Sequence, residues 1–146
     1  MVLTLTCRRS TLLLLLVSVI LMSGLPLIFA NNVAQQFWLP GTADGKCHFQ
    51  FMSLVLTQGH GVTGTIVASN PIYVVIVNDT DKQSLYSNPS GCDLITTMGL
   101  VNSGPTTSYY LDFTAPYSVT RSSPFWITFA NVGSDDSQVT VNITTS

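Results

Sequence analysis

Apolar residues run almost unbroken from Thr11 to Phe29, then give way to short apolar bursts separated by turn-forming residues. Arg8 and Arg9 precede the long run, Leu12 to Met22 form its Leu-rich centre, and Gly24, Pro26 and the small Ala30 close it. This order of basic, apolar and small residues is that of a secretory signal peptide, with cleavage expected after Ala30. The alternative is an uncleaved N-terminal membrane anchor over residues 11–29, because the run is nearly long enough to span a bilayer. Either way the arginines stay on the cytoplasmic side, and residues 31–146 are delivered out of the cytoplasm. A twin-arginine route is disfavoured, since Thr11 stands where that signal usually carries an aromatic residue.

Beyond the leader the period is two, the signature of strands. Phe37, Trp38 and Leu39 end a burst at Pro40. Between Cys47 and Leu56, Phe49, Phe51 and Ser53 alternate with His48, Gln50, Met52 and Leu54. Gly59 and Gly61 flank His60 and predict a hairpin turn, followed by a strand over Val62 to Ala68. Asn70 and Pro71 are expected to break it, and Ile72 to Val77 is the strongest strand in the chain. Asp79 or Thr80 then caps a single helical turn, the one helix expected, which Asn88 and Pro89 end. Cys92 to Met98 reads as a short strand or extended loop.

Three further segments alternate cleanly. Tyr109, Leu111 and Phe113 form one inward row, Phe125, Ile127 and Phe129 a second, and Val139, Val141 and Ile143 a third. Asn131 to Ser137 joins the last two as a hairpin. About eight short strands predict an all-β domain over residues 31–146, a two-sheet antiparallel sandwich of jelly-roll type. An immunoglobulin-like domain would place a Trp between Cys47 and Cys92, and none is there; a closed barrel is the runner-up.

Charge narrows the function classes. Charged residues make up 8% of the chain, against about a quarter in an average soluble domain. Past the leader the basic side chains are Lys46, Lys82 and Arg121, too few and too scattered for a nucleic-acid footprint. The exported surface is therefore built from Thr, Ser, Asn and Gln. Cys47 and Cys92 are expected to form a disulfide in an oxidising compartment, worth about 4 kcal/mol in the chain-entropy picture. The competing reading is a metal site using Cys47, His48 and His60, but a blue-copper loop would need a downstream His and Met that the chain lacks there.

The strand Ile72-Tyr73-Val74-Val75-Ile76-Val77 leading into a helical turn, and the aromatic strand Phe125 to Asn131 pairing with a Val-rich terminal strand, together resemble exported β-sandwich domains of the GOLD (emp24-like) kind. The two stretches cover about a quarter of the body. The resemblance implies a β-sandwich fold and a non-enzymatic, interaction-type role. The coiled coil and C-terminal membrane helix that cargo receptors of that family carry have no counterpart here, so a cargo-receptor role is not implied.

Candidate chemistry is sparse. Asn78-Asp79-Thr80 and Asn142-Ile143-Thr144 fit the N-glycosylation pattern, whereas Pro89 excludes Asn88. Trp126 and Tyr110, opposite the core rows of their strands, and Trp38 are candidate aromatic platforms for sugar rings or a protein partner. The chain has no Glu, no Gly-flanked nucleophilic Ser, and only His48 and His60 as bases, so no catalytic residue is assigned. No cofactor or metal is expected. The function expected is an extracytoplasmic, non-enzymatic binding or surface-structural module that contacts protein, polysaccharide or its own copies, the last through Asn31 to Leu39 as a donor strand. The alternative is a small secreted enzyme or metal-binding protein using His48 and His60.

Overall fold

A computed structural model describes residues 31–88 and 92–146; the leader, and with it the question of cleavage or anchoring, lies outside them. No helix among the described residues is long and apolar enough to cross a membrane. Seven strands form one antiparallel sheet curled into a half-barrel: β1 (Asn31–Leu39), β2 (His48–Leu54), β3 (Gly61–Val77), β4 (Val101–Asn102), β5 (Thr106–Thr114), β6 (Phe125–Asn131) and β7 (Ser137–Thr145). The order along the sheet is β1-β7-β3-β6-β2, with β4 and β5 on the other side of β3.

The shape follows from β3, which runs through the expected break at Asn70–Pro71. Its first half pairs with β7 and β5, its second half with β6 and β4, and its register with β5 shifts between Val67 and Ile72. Pro71 has no N–H to give the ladder, and side chains from the β6–β7 hairpin supply bonds at the bend instead. Ser137 Oγ accepts from Asn70 N (3.1 Å) and donates to Asn70 O (3.0 Å), while Ser69 Oγ accepts from Gln138 N (2.9 Å). Both backbone groups of Asn70 are therefore paired through the bend.

Bending brings the inward faces of the two halves together. Val62, Ile66 and Ala68 from the first half of β3 and Ile72, Val74 and Ile76 from the second share one buried core. The three predicted inward rows of β5, β6 and β7 all enter it, with Phe37 set edge-on against Phe129 at 5.2 Å between ring centroids. Gly64 sits where β7 approaches most closely; a Cβ there would run into the Asn142 carbonyl. The turn at Gly59–His60 exists, closed by His60 N donating to Thr57 O. It is not a hairpin, because β2 pairs with β6 while the start of β3 pairs with β5 and β7.

Two helices, not one, cover the outer face of the second half. Helix α1 (Asp79–Ser87) is capped by Asn78 rather than by Asp79 or Thr80: Asn78 Oδ1 accepts from Asp81 N at 2.8 Å. Asp79 and Asp81 then lie in the first turn, where negative charge favours the helix dipole. Helix α2 (Cys92–Ile95) stands where a short strand or extended loop is expected, held at one end by Cys92 and at the other by the buried Ile95. Leu85 and Ile95 plug a second cluster with Val75, Val77 and Ala130. Ile72 to Val77 reads as a continuous apolar run because it is covered on both faces.

Candidate functional site

The outer face of the half formed by β1, β7, the start of β3 and β5 carries no covering element among the described residues. Registers place its side chains in rows across the strands: Asn32, Thr144, Thr63 and Asp112; then Ala34, Asn142, Thr65 and Tyr110; then Gln36, Thr140, Val67 and Ser108; and finally Trp38 beside Gln138. Asp112 at one corner is the sole charged side chain in these rows. Ala34, Val67 and the two aromatic rings apart, the rest is hydroxyl and amide, pre-set in part by Thr144 Oγ1 donating to Asn32 Oδ1 at 2.6 Å.

Alternation creates this surface. The inward rows of these strands are mainly apolar, whereas the outward ones are mainly hydroxyl and amide with Ala34 and Val67 among them, so the face between the two rings is nearly neutral. Trp38 and Tyr110, each 64% exposed, stand at its opposite borders on β1 and β5. Three strand spacings and four residues along the strand separate them, a distance on the order of 20 Å. Two flat aromatic rings flanking a hydrogen-bonding floor can hold an extended, uncharged chain of hydroxylated rings.

Trp126 is placed differently from the other two aromatic candidates. It lies on the outer face of the second half, beside α1, where its Nε1 donates to Asp79 Oδ1 at 3.0 Å and Lys82 Nζ stands 4.0 Å from its ring centroid. Phe51 meets it edge-on at 6.4 Å. Its indole is occupied in packing α1 onto the sheet. The burial signal could have come from Phe49 and Phe51, which the alternation of β2 already puts on the same side and which pack against the second cluster.

Cys47 and Cys92 form a disulfide, with 5.5 Å between their Cα atoms, joining the start of β2 to α2. Such a bond points to an oxidising, extracytoplasmic compartment. It also takes Cys47 away from any metal. His48 and His60 are not brought together: His48 is opposite Asn131 near the β6–β7 hairpin, while His60 Nδ1 donates to the Ser146 main-chain oxygen at the other end of β7. His48 pairs instead with Asp44 at 3.2 Å. The Lys46 backbone N–H, and after it the His48 ring, hold the Asp44 carboxyl below its ordinary value of 3.8. Among the described residues no three His, Cys, Asp or Glu side chains gather as a ligand set.

The two glycosylation candidates differ in setting. Asn78 is half-buried and its Oδ1 is engaged in capping α1. Asn142 is exposed in the middle of the bare face, in the row that ends at Tyr110. A cavity of about 230 Å³ lies at the bend, lined by Asn70, Pro71, Pro105 and the residues from Val132 to Asp135, and none of the candidates from the sequence borders it. No family model, curated protein or solved structure matches this chain.

Proposed function

We propose that this protein is an extracytoplasmic, non-enzymatic binding module that holds an uncharged polysaccharide on the face bordered by Trp38 and Tyr110. The observation that carries the reading is the chemistry of that face: rows made mostly of hydroxyls and amides with Ala34 and Val67 among them, one carboxylate at a corner, and two exposed rings at opposite borders. A neutral floor neither attracts nor repels charged polymers, whereas it matches the donor and acceptor density of a neutral glycan. Export through the N-terminal segment is part of this reading, and the disulfide supports it. So is the sandwich architecture, in which the two halves of the curled sheet act as the two layers of a jelly-roll-type domain. The likeness to GOLD domains belongs to the same proposal, at the level of fold alone.

The test is retention on insoluble neutral polysaccharides. Trp38→Ala and Tyr110→Ala are expected to abolish retention while the melting temperature barely moves, because both rings are exposed. Unchanged retention in both variants overturns the reading. A glycan on Asn142 would occupy the same floor, so retention is measured with and without enzymatic deglycosylation and with Asn142→Gln.

A further inference from the structure

The border strand β1 has the properties of an interface. Among the described residues it pairs with β7 alone, and that register runs unbroken from Asn31 opposite Thr145 to Leu39 opposite Ser137. Among the described residues its other edge thus has no strand partner, and at its end Asn131 Nδ2 donates to Leu39 O. Edges this long are usually blunted by Lys, Pro, a bulge or a covering loop. Residues 31–39 contain no charge and no Pro, and the strand has no bulge. The border that β4 and β5 form on the other side of β3 is blunted: β4 has two residues, Gly104 and Pro105 interrupt it, and β5 carries Asp112 and a register shift.

We infer that the β1 edge pairs antiparallel with the β1 edge of a second copy of this chain, about a two-fold axis at Gln35. Gln35 is the middle residue of the strand, so in a two-fold pair it meets itself. A charge at that place would repel its own copy, whereas a carboxamide is donor and acceptor at once and is complementary to itself. The same register sets Val33 against Phe37 of the other copy and Asn32 against Trp38. Val33 and Gln35 are on the core-facing side of β1, yet Val33 is 36% exposed and Gln35 is exposed, because the core of one copy ends at Phe37 and Leu39. The second copy covers them.

A two-fold axis perpendicular to the sheet keeps both bare faces on one side. The pair then presents one continuous neutral surface, and a polymer reaching across it is held by both copies with the gain of multivalency. Pairing at this edge is independent of polysaccharide binding, and its test is separate from retention.

The test uses protein made with its own leader and recovered from outside the cytoplasm. Sedimentation is expected to give a dimer, and Gln35→Lys, a change at an exposed position, is expected to give a monomer with unchanged circular dichroism and melting temperature. Gln35→Cys is expected to cross-link between copies under mild oxidation at least about tenfold faster than Val33→Cys, since only residues at the axis bring their Cα atoms within disulfide range. A monomeric parent overturns the inference. So does a dimer that survives Gln35→Lys, the result of β1 being exchanged between copies or of another interface, and so do equal cross-linking rates at the two positions.

Discussion

Phe113 and Phe125 meet edge to face, with ring centroids 5.4 Å apart and an interplanar angle of 80°, although their strands pair with opposite ends of β3. Phe113 is opposite Val62 near the start of that strand, and Phe125 precedes Trp126, which is opposite Val77 at its end. The contact therefore exists only while β3 is bent. Phe125 is fully buried and also touches Tyr117, so Phe125→Ala removes the closure on two sides. Its expected cost is about 3–5 kcal/mol, read from chemical denaturation. Phe125→Leu keeps most of the volume and is expected to cost less than half of that.

Thr128 should reward removal of its hydroxyl. It is fully buried in β6 and its Oγ1 has no hydrogen-bond partner, so the folded state bears an uncompensated desolvation cost. Thr128→Val has nearly the same shape without the polar atom. It is expected to raise stability by about 1 kcal/mol, measured as a higher denaturation midpoint with an unchanged slope.

Gly64 is required by proximity. Any Cβ there meets the backbone of Asn142 and Ile143, which cannot move aside without parting β3 from β7. Gly64→Ala is expected to cost about 1–3 kcal/mol, whereas Gly104→Ala, where a Cβ meets nothing, is expected to cost only the strain of its positive φ. Thermal melts of the two variants side by side check the difference.

Much of this was legible from alternation alone. The inward rows of β5, β6 and β7 are as the period-two pattern predicts, because each strand has one core face and one face that is either bare or thinly covered. Tyr110 was readable as outward-facing for the same reason, whereas the unbroken burst Phe37-Trp38-Leu39 left the facing of Trp38 open. What the pattern missed rests on partners distant in sequence. The continuity of β3 through Asn70–Pro71 depends on Ser137, 67 positions away, and the setting of Trp126 depends on Lys82 and Asp79 from α1. Helix α2 has four residues, too few to show a period, and its placement is tied to a covalent bond.

Reduction of the Cys47–Cys92 bond should uncouple that helix first. The disulfide ties α2 to the sheet, and the chain it closes spans 45 positions, so Cys47→Ser with Cys92→Ser is expected to lower stability by about 4 kcal/mol. Amide exchange in residues 79–98 should rise ahead of exchange in β6 and β7, because the helical cover has fewer inward residues to hold it. Equal protection in both regions after reduction would show that the bond does not localise stability.

Salt separates the proposed ligand class from charged alternatives. With Asp112 the sole charge among the rows of the bare face, retention on a neutral polysaccharide is expected to be unchanged between low and high ionic strength. A steep loss of retention with salt would place the binding surface elsewhere, at Lys46, Lys82 or Arg121.

The Cys47–Cys92 bond has a topological consequence. It closes β2, β3 and α1 into a covalent ring, and β6 lies between β2 and β3, flanked on both sides by strands of that ring. A chain delivered N-terminus first presents both cysteines before residues 125–131 arrive. The ring can thus close around an empty place one strand wide, and β6 completes the domain by filling a slot whose two walls are already joined.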